Sequence, residues 1–183
     1  MLRVIAPGLL STVQDGGRPD AVPLGVPPGG ACDPWGLAVA NLLLGNGPDA
    51  PTVELTLLGP ELAVLEDCVV ALGGADLAAS VPEDGRSLAV GASHFLRAGT
   101  TLRFGAATDG AGIRGYLALA GGVDVPLVLG SASTYLAATI GGIDGRALAA
   151  GDLLVPARRV AGLSECDAVL CVIPVRQIGD ESH

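Results

Sequence analysis

The chain has 183 residues, of which 50% are hydrophobic and only 3% aromatic, and its formal net charge is −9. This length is enough to bury a core without disulfide or metal staples, and that core has to be built from Leu, Val and Ala. The negative charge argues against nucleic acids and anionic membranes as partners, because both are bound by basic surfaces.

All ten basic residues are arginine, and the sequence contains no lysine. The chain therefore has no amine side chain that could form a Schiff base, complete a P-loop or carry covalent biotin. Any anion has to be held by arginine or by backbone N–H groups, and the guanidinium fork suits planar carboxylates and phosphates.

The cysteines are widely spaced and only two histidines are present, so no zinc site with the usual ligand spacing can be drawn. We expect four free, mostly buried thiols in a reducing cytosol, at Cys32, Cys68, Cys166 and Cys171. The N-terminal apolar run is short and is broken by Pro7, which does not resemble a signal peptide, and no apolar stretch reaches membrane-span length. These features predict a cytoplasmic protein.

Most segments are short, rich in Val, Leu and Thr, and separated by Gly, Pro or Asp, which indicates a mainly β sandwich or barrel. In chain order the predicted strands are Leu2–Ala6, Leu9–Val13, Thr52–Leu57, Leu62–Leu65, Cys68–Leu72, Leu77–Val81, Ser87–Val90, His94–Arg97, Thr100–Phe104, Gly115–Ala120, Asp152–Val155 and Val169–Val175. A short helix is also predicted around Ser133–Ala138, and the polar tail at 176–183 is expected to fray.

One segment predicts the principal α-helix, over about residues 33–45. Asp33 is a suitable N-cap, Pro34 fits the first turn, and Gly45 can end the helix in a left-handed conformation. One apolar stripe then contains Trp35, Val39, Leu42 and Leu43. Asn41 lies near that stripe, and two interpretations stay open for it: hydrogen bonding to neighbouring loop backbone, or direct contact with a ligand.

Three stretches outside this helix have the chemistry of a binding site. Residues 11–18, S-T-V-Q-D-G-G-R, form either a turn between two strands or a binding loop. Arg114 follows a glycine-rich turn and could hold a carboxylate or pair with a surface acid. The loop that contains Ser131, Ser133 and Thr134 could bind an anion through its N–H groups or form a serine-capped turn.

Two common catalytic motifs are excluded. Gly110–Gly115 matches G-x-G-x-x-G formally, but the following strand runs straight into Gly121-Gly122, which leaves no room for the helix of a dinucleotide site. His94 is the only internal histidine and the chain has no G-x-S-x-G elbow, so a serine triad is not credible.

Collinear motifs over about 150 residues resemble the biotin-dependent carboxyltransferase family, which includes allophanate hydrolase subunit 2 and the C subunit of 5-oxoprolinase. The motifs begin with T-V-Q-D-G-G-R at 12–18, L-G-V-P-P-G-G-A-C-D at 24–33, A-N-L-L-L-G-N at 40–46 and V-E-L-T-L-L-G-P-E-L at 53–62. They continue with G-G-A-D at 73–76, R-G-Y-L-A-L-A-G-G-V-D-V-P at 114–126, L-G-S-A-S-T-Y at 129–135 and G-G-I-D-G-R-A-L-A-A-G-D at 141–152.

The resemblance implies a cyclophilin-like β-barrel fold and a subunit of an ATP-dependent 5-oxoprolinase or carboxyltransferase-type amide hydrolase. ATP would act through the assembled complex, carboxybiotin would come from a partner, and the partners would be homologues of the B and A subunits of that complex. Family members run to about twice this length, so residues 1–175 correspond to the N-terminal part of the family domain. A non-catalytic module that binds a B-subunit homologue is the alternative.

Under this resemblance, residue chemistry assigns roles to particular side chains. We expect Asp15 as the proton acceptor, provided that its pKa is raised, and Arg18 as the group that stabilises negative charge on oxygen. The expected substrate-binding residues are Gln14, Asp33, Asn41, Arg114, Tyr116, Ser131, Ser133 and Thr134. The substrate would be a small acidic or amide compound.

Overall fold

Strand pairing is antiparallel in every strand pair of the computed structural model, which describes residues 1–108, 110 and 112–158. The strands are β1 Leu2–Ala6, β2 Leu10–Gln14, β3 Thr52–Thr56, β4 Glu61–Val64, β5 Cys68–Gly74, β6 Ser80–Val81, β7 Arg86–Ser87, β8 Ser93–Leu96, β9 Thr101–Arg103, β10 Arg114–Leu119 and β11 Leu153–Leu154. The predicted strand Val169–Val175, the tail at 176–183 and two of the cysteines, Cys166 and Cys171, lie outside the described residues.

Two sheets contain these strands. The six-stranded sheet has the order β11-β1-β4-β9-β6-β7, and the five-stranded sheet has the order β2-β3-β10-β5-β8. The mainly β prediction is confirmed. No strand pairing within the described residues joins or closes the two sheets into one ring, so the closed cyclophilin-like barrel stays a prediction.

The two sheets share one apolar core, to which residues of every strand except β7 contribute. On β10, Leu117 and Leu119 enter this core, whereas Tyr116 and Ala118 lie on the opposite face and pack against a helix. Strands β5 and β10 are therefore buried on both faces, which explains why their sequences are almost continuously apolar.

That helix, α1, spans Pro34–Leu42 and begins at the predicted cap, because the side chain of Asp33 accepts from the first-turn N–H groups. Gly45 has a φ of 66° and donates its N–H to the carbonyl of Leu42, in a turn just after the helix ends. A short 3-10 helix at Leu136–Ala138 lies within the predicted second helix, and the 3-10 helix at Pro19–Leu24 was not predicted. None of the helices in the described part combines the length and the apolar character needed to cross a bilayer.

The face of α1 that is buried differs from the predicted apolar stripe. Gly36, Leu37, Ala40 and Asn41 are buried, while Trp35 is 83% exposed and Leu42 is 60% exposed. The reason is the sheet surface beneath the helix, where β5 presents Gly73. A methyl group at Gly73 would overlap the carbonyl oxygen of Gly36, so helix and sheet approach closely where Gly36 and Ala40 face Gly73.

The two cysteines in the described part are both free thiols, as expected, but they differ in burial. Cys68 lies in the core, and burial raises the pKa of its thiol to about 11. Cys32 is exposed, so the expectation of mostly buried thiols holds for only one of the two.

The close approach of α1 to β5 leads to a stability prediction. We expect Gly73→Ala to lower the free energy of unfolding by about 2 kcal/mol, because the added methyl group forces helix and sheet apart. Urea unfolding would measure it. Gly47→Ala is the matched control, since a methyl group there meets no atom within 4 Å. Equal stability of the two variants would contradict the packing argument.

Candidate functional site

A cavity of about 510 Å³ lies beside the N-terminal end of α1, where β5 ends and β10 begins. Most of its wall is apolar or glycine, and the two charged residues on it are Asp33 and Arg114. The lining residues are Asp33, Trp35, Gly36, Val39, Gly73, Gly74, Ala75, Val90, Gly91, Gly112, Ile113 and Arg114. A cavity of this size and composition is typical of a small-molecule site with a few orienting polar groups.

Asp33 fixes the start of α1 at the cavity wall. Its Oδ1 accepts from the N–H groups of Trp35 and Gly36, each at 3.1 Å. Its own backbone N–H donates to the hydroxyl oxygen of Tyr116 at 2.7 Å. The positive end of the helix dipole therefore lies at this cavity, although the Asp33 carboxylate already satisfies two of its N–H groups.

Arg114 supplies the only cationic side chain on the cavity wall within the described residues. Its Nη1 donates to Thr56 Oγ1 and lies 3.4 Å from Oε1 of Glu54. Its Nε is buried and has no hydrogen-bond partner among the residues that the structure describes. Of the two interpretations of Arg114, pairing with a protein carboxylate is observed, but this carboxylate is buried rather than at the surface.

Glu54 is the residue that connects these groups, and the sequence analysis did not select it. Its Oε2 accepts from the Cys32 N–H and from the Tyr116 hydroxyl, both at 2.8 Å. Strand register explains the contact, since Glu54 pairs directly with Tyr116 across β3 and β10. Burial raises the pKa of Tyr116, so the phenol stays a hydrogen-bond donor. The carboxylate of Glu54 adds to this increase in pKa, and the hydrogen bond from the N–H of Asp33 partly opposes it. The missed signal was an acid inside the buried strand T-V-E-L-T.

Asp15 lies in a second neighbourhood, at the loop that contains Ser131, Ser133 and Thr134. Its carboxylate accepts from the Gly17 N–H at 2.7 Å, the Ala132 N–H at 2.6 Å and the Ser131 hydroxyl at 2.6 Å, and also from the Ser133 hydroxyl. Burial alone would raise the pKa of Asp15, but these hydrogen bonds outweigh it and hold the pKa below its ordinary value. The condition set for a proton acceptor, a raised pKa, is therefore not met.

The predicted anion-binding loop does bind an anion, and that anion is the carboxylate of Asp15. Its remaining N–H groups are also occupied: Ser131 donates to the carbonyl of Val128, Ser133 to Ser131 Oγ, and Thr134 to the carbonyl of Val13. Within this loop, which the structure describes completely, no N–H group between 131 and 134 is left for a substrate oxygen.

Arg18 and Gln14 are buried on either side of the same loop. Arg18 is 1% exposed; its Nε lies 3.3 Å from the carbonyl oxygen of Val128, and its Nη2 donates to the carbonyl of Ser133. Gln14 donates to Thr134 O at 3.2 Å. Arg18 Nη1 and Gln14 Oε1 are buried without partners in the described part.

The structure therefore divides the expected site residues into two groups. Asp33 and Arg114 line the cavity, and Tyr116 lies behind its wall. The other group is the buried loop network, with Gln14, Asp15, Arg18, Ser131, Ser133 and Thr134, none of which lines the cavity. The expected site residues therefore do not all line this cavity.

Asn41 is bonded to neighbouring backbone, which agrees with the first of its two interpretations. Its Nδ2 donates to Ala50 O at 2.9 Å and to Pro48 O at 3.3 Å, and its Oδ1 accepts from Asn46 Nδ2 at 3.1 Å. The side chain therefore anchors the loop that follows α1.

The Asp15 network leads to a prediction on acid stability. Because the pKa of Asp15 is lower in the folded protein, its contribution is complete above its ordinary pKa of 3.8 and is lost as the pH falls through the folded value. We expect Asp15→Asn to lower the free energy of unfolding by about 3 kcal/mol at neutral pH. The NH2 group of the asparagine would face the N–H and hydroxyl donors that now surround the carboxylate, and these donors would lose an acceptor. The stability of the variant should also depend less on pH below 3.8. Urea unfolding across this range tests both effects.

Asp20→Asn is the control for that experiment, since Asp20 is an exposed carboxylate in the same segment. A loss of stability in Asp20→Asn equal to that in Asp15→Asn would contradict the network argument.

Comparison with known proteins identifies the family. The family profile described as carboxyltransferase domain, subdomain A and B, matches residues 24–175. The chain is 42% identical to the 5-oxoprolinase C subunit of Escherichia coli over 154 residues, which cover 84% of this chain and 48% of that protein. It is 35% identical to urea amidolyase of Saccharomyces cerevisiae over 154 residues, 84% of this chain and 8% of that protein.

A solved structure agrees with these matches. The K. lactis urea amidolyase superposes with a TM-score of 0.80 at 35% identity, over 89% of this chain and 10% of that one. The chain spans about half the length of the 5-oxoprolinase relatives that it matches. These comparisons show that the chain belongs to the carboxyltransferase domain family, subdomain A and B.

Proposed function

We propose that this chain is a non-biotinylated, substrate-binding part of an ATP-dependent 5-oxoprolinase or biotin-dependent carboxyltransferase-type amide hydrolase. The family membership supports the reaction class, and the relatives named for 5-oxoprolinase and urea amidolyase support an amide or lactam substrate. ATP acts through the assembled complex, and carboxybiotin comes from a partner. Homologues of the 5-oxoprolinase B and A subunits are the proposed partners.

The observation that carries this proposal is Arg114 at the cavity wall, where its side chain is 28% exposed and the positive end of α1 lies beside it. A guanidinium next to an apolar wall suits a small planar compound with one carboxylate or amide oxygen. When an amide carbonyl is attacked, negative charge develops on its oxygen, and fixed donors of this kind stabilise that charge. We therefore assign stabilisation of this negative charge to Arg114 rather than to Arg18, because the guanidinium of Arg18 donates to carbonyls of the buried loop.

Glu54 sets how Arg114 acts. Its carboxylate accepts a hydrogen bond from Nη1 of Arg114, so the guanidinium keeps one orientation. It also reduces the local positive charge, which favours neutral amide oxygens over doubly charged anions such as phosphate. The cavity thus suits amides and lactams better than nucleotides.

A non-catalytic interaction module is the second candidate. It is favoured by the exposed apolar face of α1. Purified chain mixed with homologues of the A and B subunits separates the candidates. Turnover only in the mixture supports the enzyme component, whereas tight binding without turnover supports the module.

Replacement of Arg114 tests the proposed site. In the assembled complex we expect Arg114→Gln to lower kcat/KM for the amide substrate about 30-fold, which corresponds to about 2 kcal/mol for a lost charged hydrogen bond. In the free chain, 5-oxoproline should quench the emission of the single tryptophan, Trp35, which lines the cavity, and the variant should bind more weakly.

Arg103→Gln is the control variant, because Arg103 is 52% exposed and pairs with Glu61 at the surface. Unchanged turnover in Arg114→Gln, or an equal loss in Arg103→Gln, would remove Arg114 from the substrate site.

A further inference from the structure

Each of the two charged residues on the cavity wall keeps one polar atom that the described part of the protein does not use. Arg114 donates to Glu54 and Thr56 through Nη1, and its Nη2 has no hydrogen-bond partner among the described residues. Because Nε is buried and Nη1 is bonded, Nη2 is the nitrogen left for a ligand. Asp33 caps α1 through Oδ1, and its Oδ2 accepts no hydrogen bond from the described residues. The wall therefore offers an unused donor and an unused acceptor.

The geometry of β10 brings these two residues close together. Arg114 and Tyr116 are two positions apart on β10, so their side chains stand on the same face of the sheet, about 7 Å apart along the strand. The hydroxyl oxygen of Tyr116 accepts the backbone N–H of Asp33 at 2.7 Å. Glu54 accepts from both Tyr116 and Arg114. These contacts hold Asp33 and Arg114 at fixed positions on neighbouring parts of one wall.

Glycine leaves room beside the unused oxygen of Asp33. A methyl group at Gly36 would lie 2.7 Å from Oδ2 of Asp33, so this oxygen lies over a residue that has no side chain. Gly36 lines the cavity, and so do Gly73 and Gly74. Where the wall is backbone alone, a flat molecule can lie against it with one edge toward Asp33 and Arg114.

The cap of α1 uses only one of the two carboxylate oxygens of Asp33. Serine and asparagine cap helices about as well as aspartate, and each does so through a single oxygen. The second oxygen shares the negative charge, and a charged acceptor forms a stronger hydrogen bond than a neutral one. Recognition of an N–H group therefore gives this carboxylate a role that capping does not.

We propose that Asp33 determines the specificity of the cavity, with Oδ2 accepting the N–H of a substrate amide whose carbonyl oxygen is bound by Arg114. Cyclic amides are the favoured substrates, because a lactam ring holds its C=O and N–H on the same edge, where two adjacent protein groups reach both. Lactones and esters are rejected, since their bridging oxygen has no proton and its lone pairs face a carboxylate. This inference rests on the proposed function, because it concerns the same cavity.

A matched pair of ligands tests N–H recognition directly. 5-Oxoproline and its lactone analogue, in which a ring oxygen replaces the N–H group, share the ring, the carbonyl and the carboxylate. Titration of the full chain with each ligand, followed by the emission of Trp35 at the cavity, gives two dissociation constants. We expect the chain to bind the lactam about 30-fold more tightly than the lactone, as for a hydrogen bond to a charged group.

Asp33→Asn removes the charged acceptor and keeps the cap, because asparagine caps a helix through its amide oxygen. We expect the preference for the lactam to fall to about threefold or less, which is the loss of one charged hydrogen bond, while thermal unfolding stays unchanged. Asp33→Ser also keeps a capping oxygen and should lose the preference in the same way.

Asp67→Asn is the matched control for these variants. Asp67 is exposed, its Oδ1 accepts the N–H of Ala98 at 2.7 Å, and it does not line the cavity. This variant should keep the lactam preference of the parent chain.

Two results would overturn the inference: equal binding of lactam and lactone by the parent chain, and a lactam preference that both Asp33 variants retain. A chain that binds neither ligand overturns it together with the proposed function. Arg114→Gln separates the two proposals, because it should weaken binding of both ligands alike and leave their ratio unchanged. If Arg114→Gln has no effect but Asp33→Asn abolishes the preference, N–H recognition stands and Arg114 is rejected as the carbonyl donor.

Discussion

The buried carboxylate of Glu54 is the interaction on which the cavity wall depends. A carboxylate inside a sheet is strongly unfavourable unless donors surround it, and Glu54 receives them from Cys32, Tyr116 and Arg114. Those donors come from the turn before α1 and from two positions on β10. One charged group therefore fixes the helix start, the phenol and the guanidinium relative to one another, which is the kind of preorganisation that a binding site requires.

A second buried carboxylate, Asp15, organises another part of the fold. The two groups differ in what surrounds them: Asp15 is enclosed by hydroxyl and N–H donors, so it stabilises a loop contact between residues more than a hundred positions apart. Because these donors surround it and it does not line the cavity, it is a structural anion. Gly17 serves this purpose, since it has a φ of 87° and donates its N–H to Asp15.

Helix α1 contributes both to the packing of the five-stranded sheet and to the cavity wall. Its inner face approaches the sheet through Gly36 and Gly73, and its first turn contributes to the cavity. Its outer face is apolar and exposed.

Local chemistry was enough to predict much of this protein. The β class, the approximate positions of most strands, the Asp33 cap and the family follow from turn residues, capping geometry and collinear motifs, each of which is a pattern of a few neighbouring residues. Tertiary structure decided the rest. Strand register placed Glu54 opposite Tyr116, and the size of Gly73 selected which face of α1 is buried. Tertiary structure also decided whether a polar side chain lines a cavity or forms a hydrogen bond within the protein. Asp15 was a candidate proton acceptor in the sequence and Arg114 a candidate substrate-binding residue. Residue type gives the capacity for a hydrogen bond, but long-range packing determines which group receives it.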